Sequence, residues 1–212
     1  MRAGQVAGFS ITRARWALVA VAIGALAAFG AAAGEVSAEV QQVVRWVQQS
    51  RDNHGLPFAI VDKRDASIHV YAADGRAIGA TPVLLGLARG DHSVPGIGDM
   101  KVADIPPADR TTPAGRFDSE PGRNLDGEEI VWLDYDAALA IHRLRPSPAR
   151  ERRAQRLTSS EADEHRISYG CVVVPVAFYE QVVAPLLGRG RGVVYVLPET
   201  RALREMFPVD AG

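Results

Sequence analysis

The chain contains one cysteine, Cys171, within the segment Arg166-Ile167-Ser168-Tyr169-Gly170-Cys171-Val172-Val173-Val174-Pro175. A thiol becomes a strong nucleophile as its thiolate, which a base, a cation or helix N-terminal N–H groups stabilise. Gly170 lets the backbone approach closely, and an apolar periodic segment from Pro175 predicts a helix with its positive end near the thiol. Backbone N–H groups from Tyr169 to Cys171 are then available for a developing oxyanion. A buried inert thiol and an intermolecular crosslink are the alternative roles.

A nucleophilic thiol needs a base, and histidine is the side chain that titrates near neutral pH. His142 is the best candidate, because it ends a predicted strand and can be held rigidly at the rim of a sheet. His165 is the alternative, closer in sequence but in a polar run. The chain has three further histidines, at positions 54, 69 and 92.

The elements that must position these groups are mostly short strands. The β-rich runs 58–61 and 68–71 flank a turn signal and predict an antiparallel hairpin, followed by a third strand over 77–87 with Pro82 at an edge or bulge. Two more strands are predicted at 129–133 and 138–142, and a buried one at 192–197. A valine stripe at three- and four-residue spacing predicts a helix over 35–51. The expected fold is mainly β, a two-sheet sandwich or flattened barrel with a few short helices.

Two irregular stretches lie beside the candidate site residues in sequence. Residues 89–110 are rich in Gly, Pro and Asp and predict a long surface loop, either a wall of a binding site or a solvated insertion. Residues 143–167 are rich in arginine and connect His142 to the Cys171 segment. This second stretch is either a solvated charged face or a flap over the site, with a short helix over 148–157.

The N-terminus has the composition of an export signal. Arg2, Arg13 and Arg15 precede an apolar run from Trp16 to Phe29, and small residues follow up to position 33. An uncleaved membrane anchor is the alternative, since the apolar stretch reaches the lower limit of a spanning segment.

The net charge of the chain without residues 1–33 limits which kinds of molecule it could bind. Residues 1–33 hold three of the 24 Lys and Arg residues and none of the 25 Asp and Glu residues, which leaves 21 basic against 25 acidic residues, a formal charge of −4. This negative charge argues against a nucleic-acid partner. The remaining length suits one domain.

Three motifs in order resemble the L,D-transpeptidase catalytic domain, the peptidoglycan crosslinking family. They are Thr112-Pro113-Ala114-Gly115-Arg116-Phe117, then Ala140-Ile141-His142, then Ser168-Tyr169-Gly170-Cys171-Val172. The resemblance runs from about Phe58 to Pro198 and divides the chain into a signal or anchor (1–33), a helical leader (34–55), a catalytic domain (56–200) and a tail (201–212). Two features depart from the family pattern: Val173 stands where a polar residue is common, and the gap from His142 to Ser168 is wider.

The resemblance implies a role for each matching residue. Cys171 would be the nucleophile and His142 the general base, with the carbonyl of Arg143 as the third member of the triad. The backbone of Tyr169 and Gly170 would form the oxyanion hole. Ser168 and Arg166 would bind substrate, with Ser168 also holding the loop. No metal and no cofactor is expected.

The implied reaction is a two-step acyl transfer on peptidoglycan stem peptides. The thiolate attacks the carbonyl of the third stem residue, releases the terminal D-alanine, and passes the acyl group to an amine acceptor: another stem, a protein lysine or a D-amino acid. An L,D-carboxypeptidase that passes the same acyl group to water is an alternative. A catalytically weak peptidoglycan-binding module is the alternative from another class.

Overall fold

The computed structural model describes Met1 and residues 36–209 of the 212-residue chain, so the predicted signal at 1–33 lies outside the described residues. Within 36–209 no helix is long and apolar enough to cross a bilayer. Ten strands and several short helices make up this part. The strands are β1 (Phe58–Asp62), β2 (Ser67–Tyr71), β3 (Ala77–Pro82), β4 (Leu85–Gly86), β5 (Gly115–Arg123), β6 (Glu129–Asp134), β7 (Leu139–Arg143), β8 (Arg166–Ser168), β9 (Val172–Val174) and β10 (Gly192–Val196).

Eight strands form one sheet in the order β3-β2-β1-β10-β5-β6-β7-β9, and β4 pairs with β8 in a small second sheet. The large sheet is nearly closed and barrel-like, which confirms the mainly β prediction. Most neighbours are antiparallel, but β1 pairs with β10 and β7 pairs with β9 in parallel. The parallel β7–β9 pair places the strand that contains His142 beside the strand that follows Cys171.

Alternate residues of β1 enter two different cores, as the two-residue period of a strand requires. Ala59 and Val61 face the main core, to which the C-terminal helical segment also contributes side chains. Phe58 and Ile60 face a second core on the opposite side. The helical segment runs from α3 (Val176–Phe178) through a π-helical turn (Tyr179–Val183) into α4 (Ala184–Leu186).

The predicted N-terminal helix is confirmed as α1 (Ala38–Ser50). It begins at Ser37, whose hydroxyl accepts a hydrogen bond from the Val40 N–H at 3.2 Å, as an N-cap residue does. Its valine stripe, Val40, Val43 and Val47, is fully buried in the second core. The helix therefore packs on the back of the sheet, away from Cys171.

Several elements differ from the sequence predictions. The third strand divides at Pro82 into β3 and β4, which belong to different sheets. Residues 115–123 form a central strand, and β8 and β9 flank the cysteine loop. The helix predicted over 148–157 is shorter: a 3₁₀ turn (Ala149–Glu151) and α2 (Arg153–Arg156) meet at Arg152, whose φ of 51° interrupts the helix.

Candidate active site

Cys171 lies on a tight loop between β8 and β9, and the backbone at Gly170 requires glycine. Its φ of 138° falls in the region that side chains disfavour, and a Cβ atom there would lie 2.8 Å from the Thr111 carbonyl oxygen. The loop thus passes against the motif that begins at Thr112. Close approach of these two segments fixes where the thiol points.

Two buried hydroxyl groups hold the loop in place. Ser168 Oγ donates to the Cys171 carbonyl at 2.7 Å and accepts the Gly170 N–H at 3.1 Å. Thr112 Oγ1 donates to the Gly170 carbonyl at 2.7 Å and accepts the Gly86 N–H at 2.9 Å. Thr112 is fully buried, so these bonds are shielded from water. The loop-holding role expected of Ser168 therefore has a geometric basis, and Thr112 holds the same loop from the other side of Gly170.

His142 lies next to the end of β7, in register with Val173 of β9. Its Nδ1 lies 2.8 Å from the Arg143 carbonyl oxygen. A carbonyl only accepts, so Nδ1 carries the proton and Nε2 is left as the acceptor. This is the geometry expected of a general base whose orientation is fixed by a backbone carbonyl.

The thiol and the imidazole are both held in their neutral forms. Burial lowers the pKa of His142 to about 4, and the positive charges of Arg145 and Arg153 act in the same direction. Burial raises the pKa of the Cys171 thiol, against the opposing effects of a backbone hydrogen bond at Ala140 and of Arg145. Both pKa shifts favour the uncharged forms at neutral pH, a thiol at Cys171 and a neutral imidazole at His142.

Cys171 and His142 line the same cavity, which has a volume of about 350 Å³. The long loop contributes apolar residues to the lining, and the arginine-rich segment contributes charged and polar residues together with two prolines. Tyr169 also lines the cavity, and the Arg110 guanidinium lies 4.3 Å from the centre of its ring. The cavity wall includes Ile97, Val102 and Ile105 from the long loop, and Arg145, Pro146, Ser147, Pro148, Glu151 and Arg153 from the segment after His142.

The side chain of Arg143 points away from this cavity. Its guanidinium lies 5.0 Å from the Tyr179 ring centre, and Nη1 lies 3.5 Å from Glu180 Oε1. Only the backbone carbonyl of Arg143 takes part in the site, through His142.

The oxyanion donors differ from the expectation. The Gly170 N–H already donates to Ser168 Oγ, so it is not free for a substrate oxygen. This corrects the assignment of Gly170. The backbone N–H groups of Tyr169 and Cys171 remain candidates for binding the oxyanion. Within residues 36–209 the Tyr169 N–H has no backbone acceptor, and the Cys171 N–H points only at its own sulfur.

Arg166 does not line the cavity that contains Cys171, which differs from the expected substrate-binding position. Its guanidinium is buried, forms an ion pair with Glu199 at 2.5 Å and donates to the Lys63 carbonyl at 2.9 Å. Lys63 in turn lies 2.7 Å from Asp91 Oδ1 and donates to the Thr112 carbonyl at 2.8 Å. These four charged residues form a buried network behind the cysteine loop, and Arg166 belongs to that support.

His165, the alternative base, is also structural. Its Nδ1 lies 2.8 Å from the Val83 carbonyl and its Nε2 lies 3.2 Å from the Ser159 carbonyl. Both ring nitrogens face carbonyl oxygens, and His165 does not line the cavity with Cys171. Of the candidate bases, only His142 reaches that cavity.

Val173 has a packing role that explains an apolar residue there. It is fully buried in a small cluster with Leu84 and Leu157, against which Leu144 and Ile167 also pack. Leu84 and Leu157 lie on different segments, so Val173 anchors the arginine-rich segment to the sheet. Within residues 36–209 no group of His, Cys, Asp and Glu is arranged to hold a metal ion.

No protein-family model and no curated protein sequence matches this chain. Among solved structures it is similar to the helical cell shape determining protein Pgp2 from Campylobacter jejuni, with 17% identity over 77% of this chain and 57% of that one, and a TM-score of 0.47. It is also similar to an L,D-transpeptidase (Yku) from Stackebrandtia nassauensis (15% identity, 77% of this chain, 68% of that one, TM-score 0.41). A third similar structure is the catalytic domain of the E. faecium L,D-transpeptidase, with 17% identity over 66% of this chain and 95% of that one, and a TM-score of 0.38.

The chain spans little more than half the length of the Pgp2 structure. The structures that it resembles are L,D-transpeptidase catalytic domains at low identity. Likeness at this level does not transfer an activity, so the chemistry of this chain is inferred from its own residues.

Proposed function

We propose that this protein is a cysteine acyltransferase of the L,D-transpeptidase type that acts on peptidoglycan stem peptides. The observation that carries the proposal is the shared cavity of Cys171 and His142, with the imidazole oriented by the Arg143 carbonyl. A thiol, a base and a group that orients the base are the three parts of nucleophilic acyl transfer. The ordered motifs around Thr112, His142 and Cys171 support the peptidoglycan substrate class.

In the first step, Cys171 Sγ bonds to the carbonyl carbon of the third stem residue while its proton moves to His142 Nε2. The C–N bond to the terminal D-residue then breaks, and His142 returns the proton to the leaving amine. His142 is uncharged before the reaction, so its Nε2 has a free lone pair for the thiol proton. The negative oxygen formed in between needs the backbone N–H groups of Tyr169 and Cys171 and the charge of Arg145.

In the second step, an amine acceptor attacks the thioester carbon. Its excess proton passes to His142 and then to the departing thiolate, which regenerates Cys171. No redox change occurs and atoms balance without a further reactant. Thioesters react readily with amines, so a cysteine suits transfer better than an oxygen nucleophile does. The predicted export signal at 1–33 would place the domain where stem peptides are found.

The proposal is tested with a purified disaccharide tetrapeptide, alone and with a D-amino acid acceptor. Release of the terminal D-alanine that depends on Cys171, together with the exchanged product, is the expected result. Cys171→Ala should abolish the release of D-alanine, and His142→Ala should slow it strongly. His165→Ala should still release D-alanine, provided that the variant is folded. Release of D-alanine without any exchanged product would indicate a carboxypeptidase, and no release at all would refute the enzyme.

A further inference from the structure

A second open cavity, of about 510 Å³, lies in the arginine-rich segment beside the cavity that holds Cys171. It is built from residues 144–149 and 152–155 alone. The two cavities share Arg145 and Arg153, along with the residues 146–148 between them. The second cavity therefore adjoins the candidate active site along these shared residues, and we call it the side chamber.

The side chamber has a basic lining. Arg145, Arg152 and Arg153 line it, and among the described residues no Asp or Glu does. Glu151 lines only the chamber that contains Cys171, where it pairs with Arg153 Nε at 2.6 Å. Glu128 pairs with Arg145 Nε at 2.6 Å. The remaining lining residues are uncharged and, apart from Gln155, small or apolar, so the arginines set the electrostatic character of the chamber.

The guanidinium groups keep unused hydrogen-bonding capacity. Arg152 Nε donates to Gln155 Oε1 at 2.8 Å, and the ion pairs of Arg145 and Arg153 also use Nε. Across residues 36–209, the terminal Nη atoms of these three arginines make no hydrogen bond to the protein. Two Nη atoms of a guanidinium form the edge that binds a carboxylate in a bidentate manner.

The backbone of Arg152 adopts an unusual conformation at the chamber wall. Its φ of 51° is left-handed, a conformation that non-glycine residues seldom adopt. The strain falls at the junction between the 3₁₀ turn and α2, and it places two successive arginines, Arg152 and Arg153, on the chamber wall. A regular helix through this point would place successive side chains about 100° apart, on different faces.

We infer that the side chamber is the binding site for the amine acceptor, and that its arginines recognise a carboxylate carried by that acceptor. This inference rests on the proposed function, because it concerns the second step at the same site. The shared wall at Arg145 and Arg153 lets the acceptor's carboxylate bind on the arginine side while its amine reaches the thioester on Cys171. Amino acids and peptides with a free carboxylate are then preferred acceptors over neutral amines.

The test measures how the acyl-enzyme divides between transfer and hydrolysis, because this ratio does not depend on the rate of acylation. The acceptors are D-methionine and D-methioninamide, which have the same side chain and differ in the carboxylate. For the wild type we expect a ratio about 10- to 100-fold higher with the carboxylate, the range for a hydrogen bond between charged groups. Raising the salt concentration should narrow this difference.

The double variant Arg152→Gln/Arg153→Gln should lower the transfer-to-hydrolysis ratio for D-methionine much more than the ratio for D-methioninamide, and so remove most of the preference. Arg150→Gln is the matched control, since Arg150 is in the same segment, is exposed and lines neither cavity. A wild-type enzyme without preference, or a double variant that retains it, would overturn the inference alone. An equal loss for both acceptors would also overturn it, because shape and not charge would then be involved. Failure to form any acyl-enzyme would instead refute the proposed function and the inference with it.

Discussion

Replacing Lys63 with methionine should destabilise the protein far more than an ordinary lysine substitution. The Lys63 and Asp91 side chains are fully buried, and Lys63 Nζ contacts three oxygens at 2.6–2.8 Å: the Gly90 carbonyl, Asp91 Oδ1 and the Thr112 carbonyl. Methionine has a similar length and no charge. The substitution leaves the Asp91 carboxylate buried without its cation, although backbone N–H groups of Glu199 and Thr200 still donate to it.

Removing one partner of a buried ion pair costs about 3–5 kcal/mol. For a protein of this size each kcal/mol lowers the melting temperature by about 2–4 °C, so the expected decrease is about 6–20 °C. Differential scanning calorimetry at neutral pH measures it. Lys101→Met is the matched control, because Lys101 is the only other lysine in the sequence and is exposed.

The same substitution should slow acylation of Cys171 at temperatures where the variant is still folded, because Lys63 holds Thr112 and Thr112 holds Gly170. Lys63→Met/Asp91→Asn should recover part of the lost stability, since it removes the unpaired charge. A decrease of less than about 3 °C for Lys63→Met, similar to that of Lys101→Met, would refute the buried network as a source of stability.

Further expectations concern the cysteine loop and its base. Gly170→Ala should lower the free energy of unfolding by about 1–3 kcal/mol and abolish acylation, because Gly170 has a positive φ and a Cβ there would contact Thr111. Gly190→Ala is the control, since the space around Gly190 is open, and it should change neither the melting temperature nor the acylation rate. Alkylation of Cys171 by iodoacetamide should keep accelerating above pH 9, since burial raises the thiol pKa, and a plateau near pH 6 would show a preformed thiolate. His142 binds fewer protons in the folded than in the unfolded protein between pH 6.5 and about 4, so the free energy of unfolding should fall as the pH falls through this window, and His142→Gln should reduce that slope in urea titrations.

The strands that the sequence predicts correctly can be recognised from their own residues, without knowledge of their partners. Residues 58–62 and 192–196 are almost entirely apolar or aromatic, and their burial matches that composition. The strand at Gly115–Arg123 was missed, because glycine, proline and charged residues disfavour strands. Its pairing with β10 on one side and β6 on the other outweighs that local preference. Such pairing depends on residues far away in sequence.

The same distinction holds for the site. Cys171 and His142 could be found from residue type, spacing and motif. Arg166 was misread, because its partner Glu199 lies 33 residues away and nothing local marks that pair. The hydrogen bond from Gly170 to Ser168 was equally hidden, since it depends on how the loop closes. The side chamber needs the fold of residues 144–155, which the charge run alone does not specify.

The most direct test of the account is the intact mass of the reduced protein after incubation with a disaccharide tetrapeptide. We expect a covalent adduct with the mass of the donor less its terminal D-alanine, located on Cys171 by peptide mapping. Cys171→Ala should show no adduct while keeping the wild-type melting temperature within a few degrees. A folded, reduced wild-type protein that remains unmodified, or an adduct on another residue, would contradict the central claim.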